Sequence, residues 1–188
     1  VIAEAIHAAS PREKKPFVLV DCRSIPANLI DSELFGHEAG AFTGAFTRRD
    51  GKMLAADGGT LLLDDVGALP FETQSRLAAA LKTGYIRPVG GRYDLQVDVR
   101  ILATSDPGLT GDVECGRFRE DLYYRLALVQ VQLPALRNRS GDVPVLVRHL
   151  LARIARQPGM RGLGITEDAM DMLAGYEWPG NVRQLHDV

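Results

Sequence analysis

Thr60-Leu61-Leu62-Leu63-Asp64-Asp65 is a short apolar run closed by two carboxylates. Its lack of polar alternation suits a strand buried on both faces of a sheet. Phe17-Val18-Leu19-Val20, after Pro16, reads the same way, and Val99-Arg100-Ile101-Leu102-Ala103 is a third such run. Helical patterns lie between them, over Ala27 to Leu34, Phe71 to Lys82 after Pro70, and a shorter Lys52 to Asp57. Strands alternating with helices predict an α/β fold, a parallel sheet with helices on both faces. Leu128 to Leu133 offers a last strand. In open sheets of this kind ligands bind outside the carboxyl ends of the strands, so Asp64 and Asp65 are expected at a ligand crevice. Consecutive strand residues point opposite ways, so one carboxylate can hold a metal-bound water shell while the other faces a nucleophile. A polar strand end entering a turn would read the same.

The pattern changes after Leu136. Asp142 is expected to cap a helix that carries Pro144 in its first turn and runs to about Arg156. Pro158 to Gly164 reads as a linker, Thr166 as the cap of a helix through about Gly175, and Asn181 as the cap of another. The expected division is an α/β core over 1–137 and an all-helical lobe over 138–188. Both ends fall inside helical patterns, which suggests a piece of a longer protein, cut before Val1 and after Val188.

Length and composition narrow the function classes. A chain of 188 residues can hold one domain, or a core with a small lobe. Its hydrophobic content of 46% and charged content of 24% are ordinary for a globular protein. A net charge of -2 argues against an autonomous nucleic-acid binder. No apolar run reaches the roughly 18 residues of a membrane span, and no signal peptide is visible. Cys22 and Cys115 make neither a disulfide framework nor a metal-ligand spacing and read as free thiols of a reducing, cytoplasmic compartment.

Four further stretches carry candidate chemistry. Thr104, Ser105 and Asp106 end a strand with groups able to orient a water, although strand-terminal hydroxyls also form turns. Arg119 and Arg125 are six residues apart, roughly 120° on an ideal helix, so they would not grip one phosphate together. One could reach a phosphate on a neighbouring subunit; an exposed helix with Arg–Asp and Arg–Glu pairs reads equally well. Arg183 follows the turn Trp178-Pro179-Gly180 at a helix start, where backbone N–H groups and a guanidinium can hold a phosphate. Finally, Gly40-Ala41-Phe42-Thr43-Gly44-Ala45 sets one aromatic among small residues. It reads as a sharp loop tip that presents Phe42 outward for contact.

The longer run Glu33-Leu34-Phe35-Gly36-His37-Glu38-Ala39-Gly40-Ala41-Phe42-Thr43-Gly44-Ala45 resembles the hallmark of sigma-54-dependent transcriptional activators, the bacterial enhancer-binding AAA+ ATPases. Gly58 to Asp64, Arg117 to Arg125 and Trp178 to Arg183 match the family in order and spacing, so the resemblance covers nearly the whole chain. It implies an AAA+ P-loop-type core with a helical lid, ATP and Mg²⁺ as cofactors, and a ring oligomer, usually a hexamer. It implies sigma-54 and RNA polymerase as partners, and DNA contact only through a domain outside these residues. Asp64 would be the Walker B acid that coordinates Mg²⁺ through water, and Asp65 would stand where the family has its catalytic glutamate. Arg119 and Arg125 match the arginine-finger region, Thr104 and Ser105 the first sensor, and Arg183 the second sensor. Gly40, Ala41, Phe42, Thr43, Gly44 and Ala45 would contact sigma-54, with Gly84 to Asp98 as a companion loop.

The chain departs from the family in several places. No G-x-x-x-x-G-K phosphate loop occurs in it. The family's loop would precede Val1, so the isolated chain is expected to bind ATP weakly and turn it over negligibly. Asp65 replaces a glutamate, Asp21 stands where an asparagine that couples nucleotide state to the catalytic acid is common, and Ser105 also stands at an asparagine position. These substitutions leave an alternative open: a regulator that binds sigma-54 or a partner activator without effective turnover.

Overall fold

The computed structural model describes residues 2–139, 141–156 and 164–188. In chain order the elements are α1 (Ile2–Ala8), β1 (Phe17–Asp21), α2 (Ile30–Phe35), β2 (Gly36–His37), β3 (Arg49–Asp50), α3 (Lys52–Ala55), β4 (Thr60–Asp64), α4 (Phe71–Thr83), β5 (Tyr85–Ile86), β6 (Leu95–Gln96), β7 (Arg100–Ala103), α5 (Leu109–Glu114), α6 (Glu120–Leu126), α7 (Asp142–Ile154), α8 (Glu167–Gly175) and α9 (Asn181–Asp187). The chain divides into two compact units, Val1–Gln130 and Val131–Val188.

In the first unit β1, β4 and β7 form a parallel sheet in the order β1-β4-β7 among the described residues, flanked by helices. Parallel strands need crossover connections, and the intervening helices supply them. β4 is central, and its Thr60, Leu61 and Leu63 are each fully buried, as its unbroken apolar pattern predicts. Val18, Val20, Leu61, Leu63 and Ile101 alternate onto one face and join Leu34, Phe35, Leu77, Phe118 and Leu122 in the main core. On the other face His7 of α1 hydrogen-bonds Thr60 at 2.9 Å and packs its ring against Phe17 at 5.1 Å. β1 is less buried than its sequence predicts: Leu19 remains 56% exposed, because β1 is an edge strand with a covered face and a partly open one. Leu128 to Leu133 forms no strand: Leu128, Val129, Val131 and Leu133 are 83, 84, 64 and 62% exposed, with no backbone ladder beside them among the described residues.

Short ladders build the projecting parts. β2 and β3 pair antiparallel and close the root of the segment between them, and β5 and β6 close a second hairpin. These two-residue strands carry no periodicity, so the sequence reading of helix and loop passed over them.

The second unit is helical and has its own core of Leu136, Val143, Val147, Trp178 and Leu185. Thr166 caps α8 as expected, its hydroxyl accepting from Ala169 N at 3.3 Å. Two other caps differ. Asp142 is the first residue of α7, beside Gly141 at the cap position, and its carboxylate lies 3.4 Å from Arg139 instead. Asn181 is the first residue of α9; its side chain accepts from Leu136 N at 2.7 Å, tying the helix start to the preceding chain. The free amide of Gly180 is met by Gln184, at 3.0 Å, from within the helix. The linker expected over Pro158 to Gly164 lies outside the described residues apart from Gly164.

Candidate functional site

The carboxyl ends of β1, β4 and β7 converge as the sheet register requires. Asp21 pairs with Asp64 and Leu63 with Ala103. Thr104, one residue past β7, therefore stands beside the end of β4. Its hydroxyl donates to Asp64 Oδ1 at 2.5 Å and accepts from Asp65 N at 2.9 Å. Its backbone completes the link, with Thr104 N donating to Leu63 O and Val66 N donating to Thr104 O, both at 2.9 Å. One residue thus fixes both acids. Asp64 is exposed at the sheet edge, whereas Asp65 turns into the left-handed region at φ 57°, ψ 61°. Few non-glycine residues sit there, and such positions cluster at functional sites.

Asp21 is engaged differently from a free acid. Its Oδ1 accepts from Arg23 N at 3.0 Å and Ser24 N at 3.2 Å, closing the turn that follows β1. That turn launches the side chain of Arg23, a residue without any sequence pattern to single it out. Arg23 Nε contacts Asp65 Oδ2, and Arg23 Nη2 donates to Asp106 Oδ2 at 3.0 Å. The contact with Asp65 is an ion pair without hydrogen-bond alignment, so Asp65 Oδ2 is buried yet lacks a directed donor. Ser105 lies exposed between Thr104 and Asp106. The combined negative field is felt by Cys22, whose thiol is pushed up to about 12, first by burial and then by Asp65, Asp21 and Asp64.

The donors at this edge suit a hard cation. Asp64 and Asp65 offer carboxylate oxygens, the ligand type Mg²⁺ prefers. Among the described residues no group of three or more His, Cys, Asp or Glu could hold a metal by itself.

Arg119 occupies the N-cap position of α6 without a side-chain cap bond, and Arg125 lies exposed in the last turn. Arg119 makes a two-point pair with Asp121, both contacts at 3.0 Å, and its guanidinium lies 5.4 Å from the centre of the Phe71 ring. The hydrogen bond from Arg119 holds the Asp121 carboxyl below the usual carboxylate range. Gln74, buried in α4, positions the start of this helix. Its Oε1 accepts from Arg119 N at 2.8 Å, and its Nε2 donates to Leu69 O at 2.9 Å and Arg117 O at 3.2 Å. In the second unit Arg183 is exposed in the first turn of α9.

The aromatic loop projects between β2 and β3. Gly40 N donates to Ala45 O at 2.7 Å and Ala45 N to Phe42 O at 3.0 Å, which folds the six residues into a tight tip. Gly40 and Gly44 adopt φ 79° and 102°, conformations that a side chain resists. Phe42 does not stand fully outward. It is 38% exposed, because its ring packs edge-on against His37 at 5.1 Å, while Phe46 next to the tip is 91% exposed. The hairpin of β5 and β6 docks on the same root: Glu38 N donates to Val89 O at 3.0 Å, and Val89 N to Gly36 O at 2.8 Å. A Cβ on Gly90 would stand 2.8 Å from the Ala41 Cβ, so the absence of a side chain there lets the two loops touch.

The order of these parts matches a known family model, the sigma-54 interaction domain, over residues 1–132. The chain belongs to that family. A second model, the AAA+ ATPase lid domain, matches residues 137–188. The transcriptional regulatory protein ZraR of Escherichia coli K12 is 46% identical over all 188 residues, and the Nif-specific regulatory protein of Azotobacter vinelandii is 47% identical over 187. The chain spans 43% and 36% of those two proteins. A crystal structure of NtrX from Brucella abortus in complex with ATP superposes with a TM-score of 0.91 at 40% identity, over 99% of this chain and 40% of that one. Hsp104 of S. cerevisiae, in a casein complex, gives 0.69 at 18% identity, a likeness of fold alone. The chain is thus an AAA+ module of the sigma-54 activator type. No described helix is long and apolar enough to cross a membrane.

Proposed function

We propose that the chain is the motor module with which a bacterial activator, using ATP, remodels sigma-54-bound RNA polymerase. The observation that carries this is the Thr104 hydroxyl joined to both Asp64 and the Asp65 amide: a strand-end water-positioning site in a chain that also presents a Gly40–Ala45 contact loop. Asp64 would hold Mg²⁺, and Asp65 would orient the attacking water. The ion, when bound, neutralises charge on the transferred phosphoryl group. Thr104 holds the Asp64 carboxylate and the Asp65 backbone together, and such positioning is a large part of what catalysis of this kind needs. Arg119 and Arg125 act on nucleotide held by a neighbouring subunit of a ring, and Arg183, Ser105 and Asp21 report or support nucleotide state.

The path from hydrolysis to contact is short in the chain. The β5–β6 hairpin leads directly into β7, at whose far end Thr104 senses the site. The same hairpin hydrogen-bonds the root of the Phe42 loop. A shift of β7 is therefore passed to both loops, the kind of two-position element that couples distant sites. Release of Phe42 from His37 would then present the ring to sigma-54.

The alternative, a regulator with little turnover, draws support from the Arg23 ion pair on Asp65. Mg²⁺-dependent ATP hydrolysis by the full-length protein separates the two. The motor reading expects turnover that Asp64→Asn reduces at least 100-fold; turnover at background in the unaltered protein would overturn it.

A further inference from the structure

We propose that the cleft between the Phe42 loop and the β5–β6 hairpin binds a small organic monocarboxylate with an aromatic body. The cleft has a volume of about 320 Å³. That is the small end of the roughly 300–1,000 Å³ range of ligand pockets. Glu38, just after β2, and Arg48, just before β3, line it from the two stems of the contact loop. Pro88, Gly90, Arg92, Tyr93 and Leu95 line it from the hairpin. Two guanidiniums therefore share the cleft with one carboxylate.

These charges are only loosely committed. The Arg92 guanidinium has no hydrogen bond, ion pair or ring contact among the described residues. Arg48 stands 3.8 Å from Glu38 and 3.3 Å from Asp50, and its side chain is 53% exposed. Exposed pairs at such distances are weak and give way to a better partner. The acid of the hairpin itself does not compete for Arg92. Asp94 is taken by Arg87 through two contacts, at 2.7 and 3.1 Å. The free fork of Arg92 matches a carboxylate by two parallel hydrogen bonds, and Arg48 adds positive charge. Glu38 offsets one of the two positive charges, so a monoanion balances the site. Pro88, Leu95 and the Tyr93 ring, which is 81% exposed, give the apolar surface for the body of the ligand.

The two walls belong to different loops, so the ligand fits while those loops are docked. Docking runs through Glu38 N on Val89 O and the close approach of Gly90 to Ala41. A ligand that binds the docked arrangement shifts the population toward it. In that arrangement Phe42 packs on His37. The bound carboxylate therefore opposes the release of Phe42 to sigma-54. This effect, unlike the binding itself, rests on the proposed function.

Benzoate is the probe, titrated into the full-length protein and followed by ligand-detected NMR. Saturable binding is expected with a Kd of about 1 mM or tighter. Arg92→Ala, at an exposed position, keeps the fold and weakens binding about fivefold or more; Arg92→Lys, with charge but no fork, falls between the two. Gly90→Ala, whose Cβ meets Ala41 and parts the loops, also loses binding although Arg92 remains. Benzamide, without the charge, and inorganic phosphate, without the apolar body, bind more weakly than benzoate. No saturable binding of benzoate up to about 10 mM, or equal binding by Arg92→Ala, overturns the site. Phosphate binding as tight as benzoate overturns the ligand class. Saturating benzoate is expected to weaken sigma-54 binding by the full-length protein at least twofold. Benzoate bound through Arg92 with sigma-54 affinity unchanged upholds the site and contradicts the release of Phe42.

Discussion

At the residue scale Thr104 ties the two acids of the candidate site together, through the Asp64 carboxylate and the Asp65 amide. Replacing it with Val removes the bond to Asp64 and leaves the Asp65 amide without an acceptor, while the backbone links of β7 remain. Thr104→Val is expected to lower kcat about 10–100-fold, the usual consequence of misplacing reacting groups by a fraction of an ångström to an ångström. Thr104→Ser keeps the hydroxyl and should keep most of the rate; equal loss in both variants would show that the hydroxyl is not what matters. The thiols give a second check. Cys115 is exposed, whereas Cys22 is buried and pushed up to about 12. A raised thiol pKa keeps Cys22 neutral below that value, so at about pH 8 only Cys115 should react with an alkylating reagent until the protein is unfolded. Rapid native labelling of Cys22 would contradict the closed strand end. Asp64, Asp65 and Thr104 were legible in the sequence because they end apolar runs. Arg23 was not, since a lone arginine after a strand carries no pattern, and its place beside Asp65 comes from where the Asp21 turn sends it. Nor was the packing of Phe42 on His37 legible, because that contact joins the loop tip to its own root across space.

At the element scale β4 and α4 were the plainest to read. β4 is an unbroken apolar strand, and α4 follows Pro70 with Glu72 in its first turn and Lys82 in its last, the charges that suit a helix dipole. Helix and strand ends decided by tertiary contact were less readable: Asn181 serves Leu136, and Leu128 to Leu133 has no ladder to join among the described residues. Gln74 shows why. It sits on α4 where a polar residue would normally face solvent, yet it is 1% exposed and holds three backbone groups around the start of α6. Gln74→Leu keeps the approximate volume and strands those groups. The expected loss is at least about 3 kcal/mol in urea unfolding, from about 1–3 kcal/mol for each of the three groups left unpaired. A loss below about 0.5 kcal/mol would mean that water replaces the side chain. Because the same amide orients Arg119, activity should fall beyond what the lost stability accounts for.

At the scale of the whole molecule the proposed function assigns energy source and contact to separate places. The acids stand at the carboxyl ends of the sheet, whereas the Phe42 loop grows from a ladder of two-residue strands after α2. The parallel core and the helical unit were legible from the switch in hydrophobic period, since apolar runs give way to spaced apolar residues after Leu136. The loop ladder was not, because four residues cannot show a period. The central claim is that Phe42 serves contact with sigma-54 while the strand ends serve hydrolysis. Its most direct test is binding of sigma-54 by the full-length protein, with and without a non-hydrolysable ATP analogue, for the unaltered protein and for Phe42→Ala. The account predicts nucleotide-dependent binding that Phe42→Ala loses at least tenfold while its ATP turnover stays within about threefold. Binding of Phe42→Ala at the unaltered affinity would contradict it.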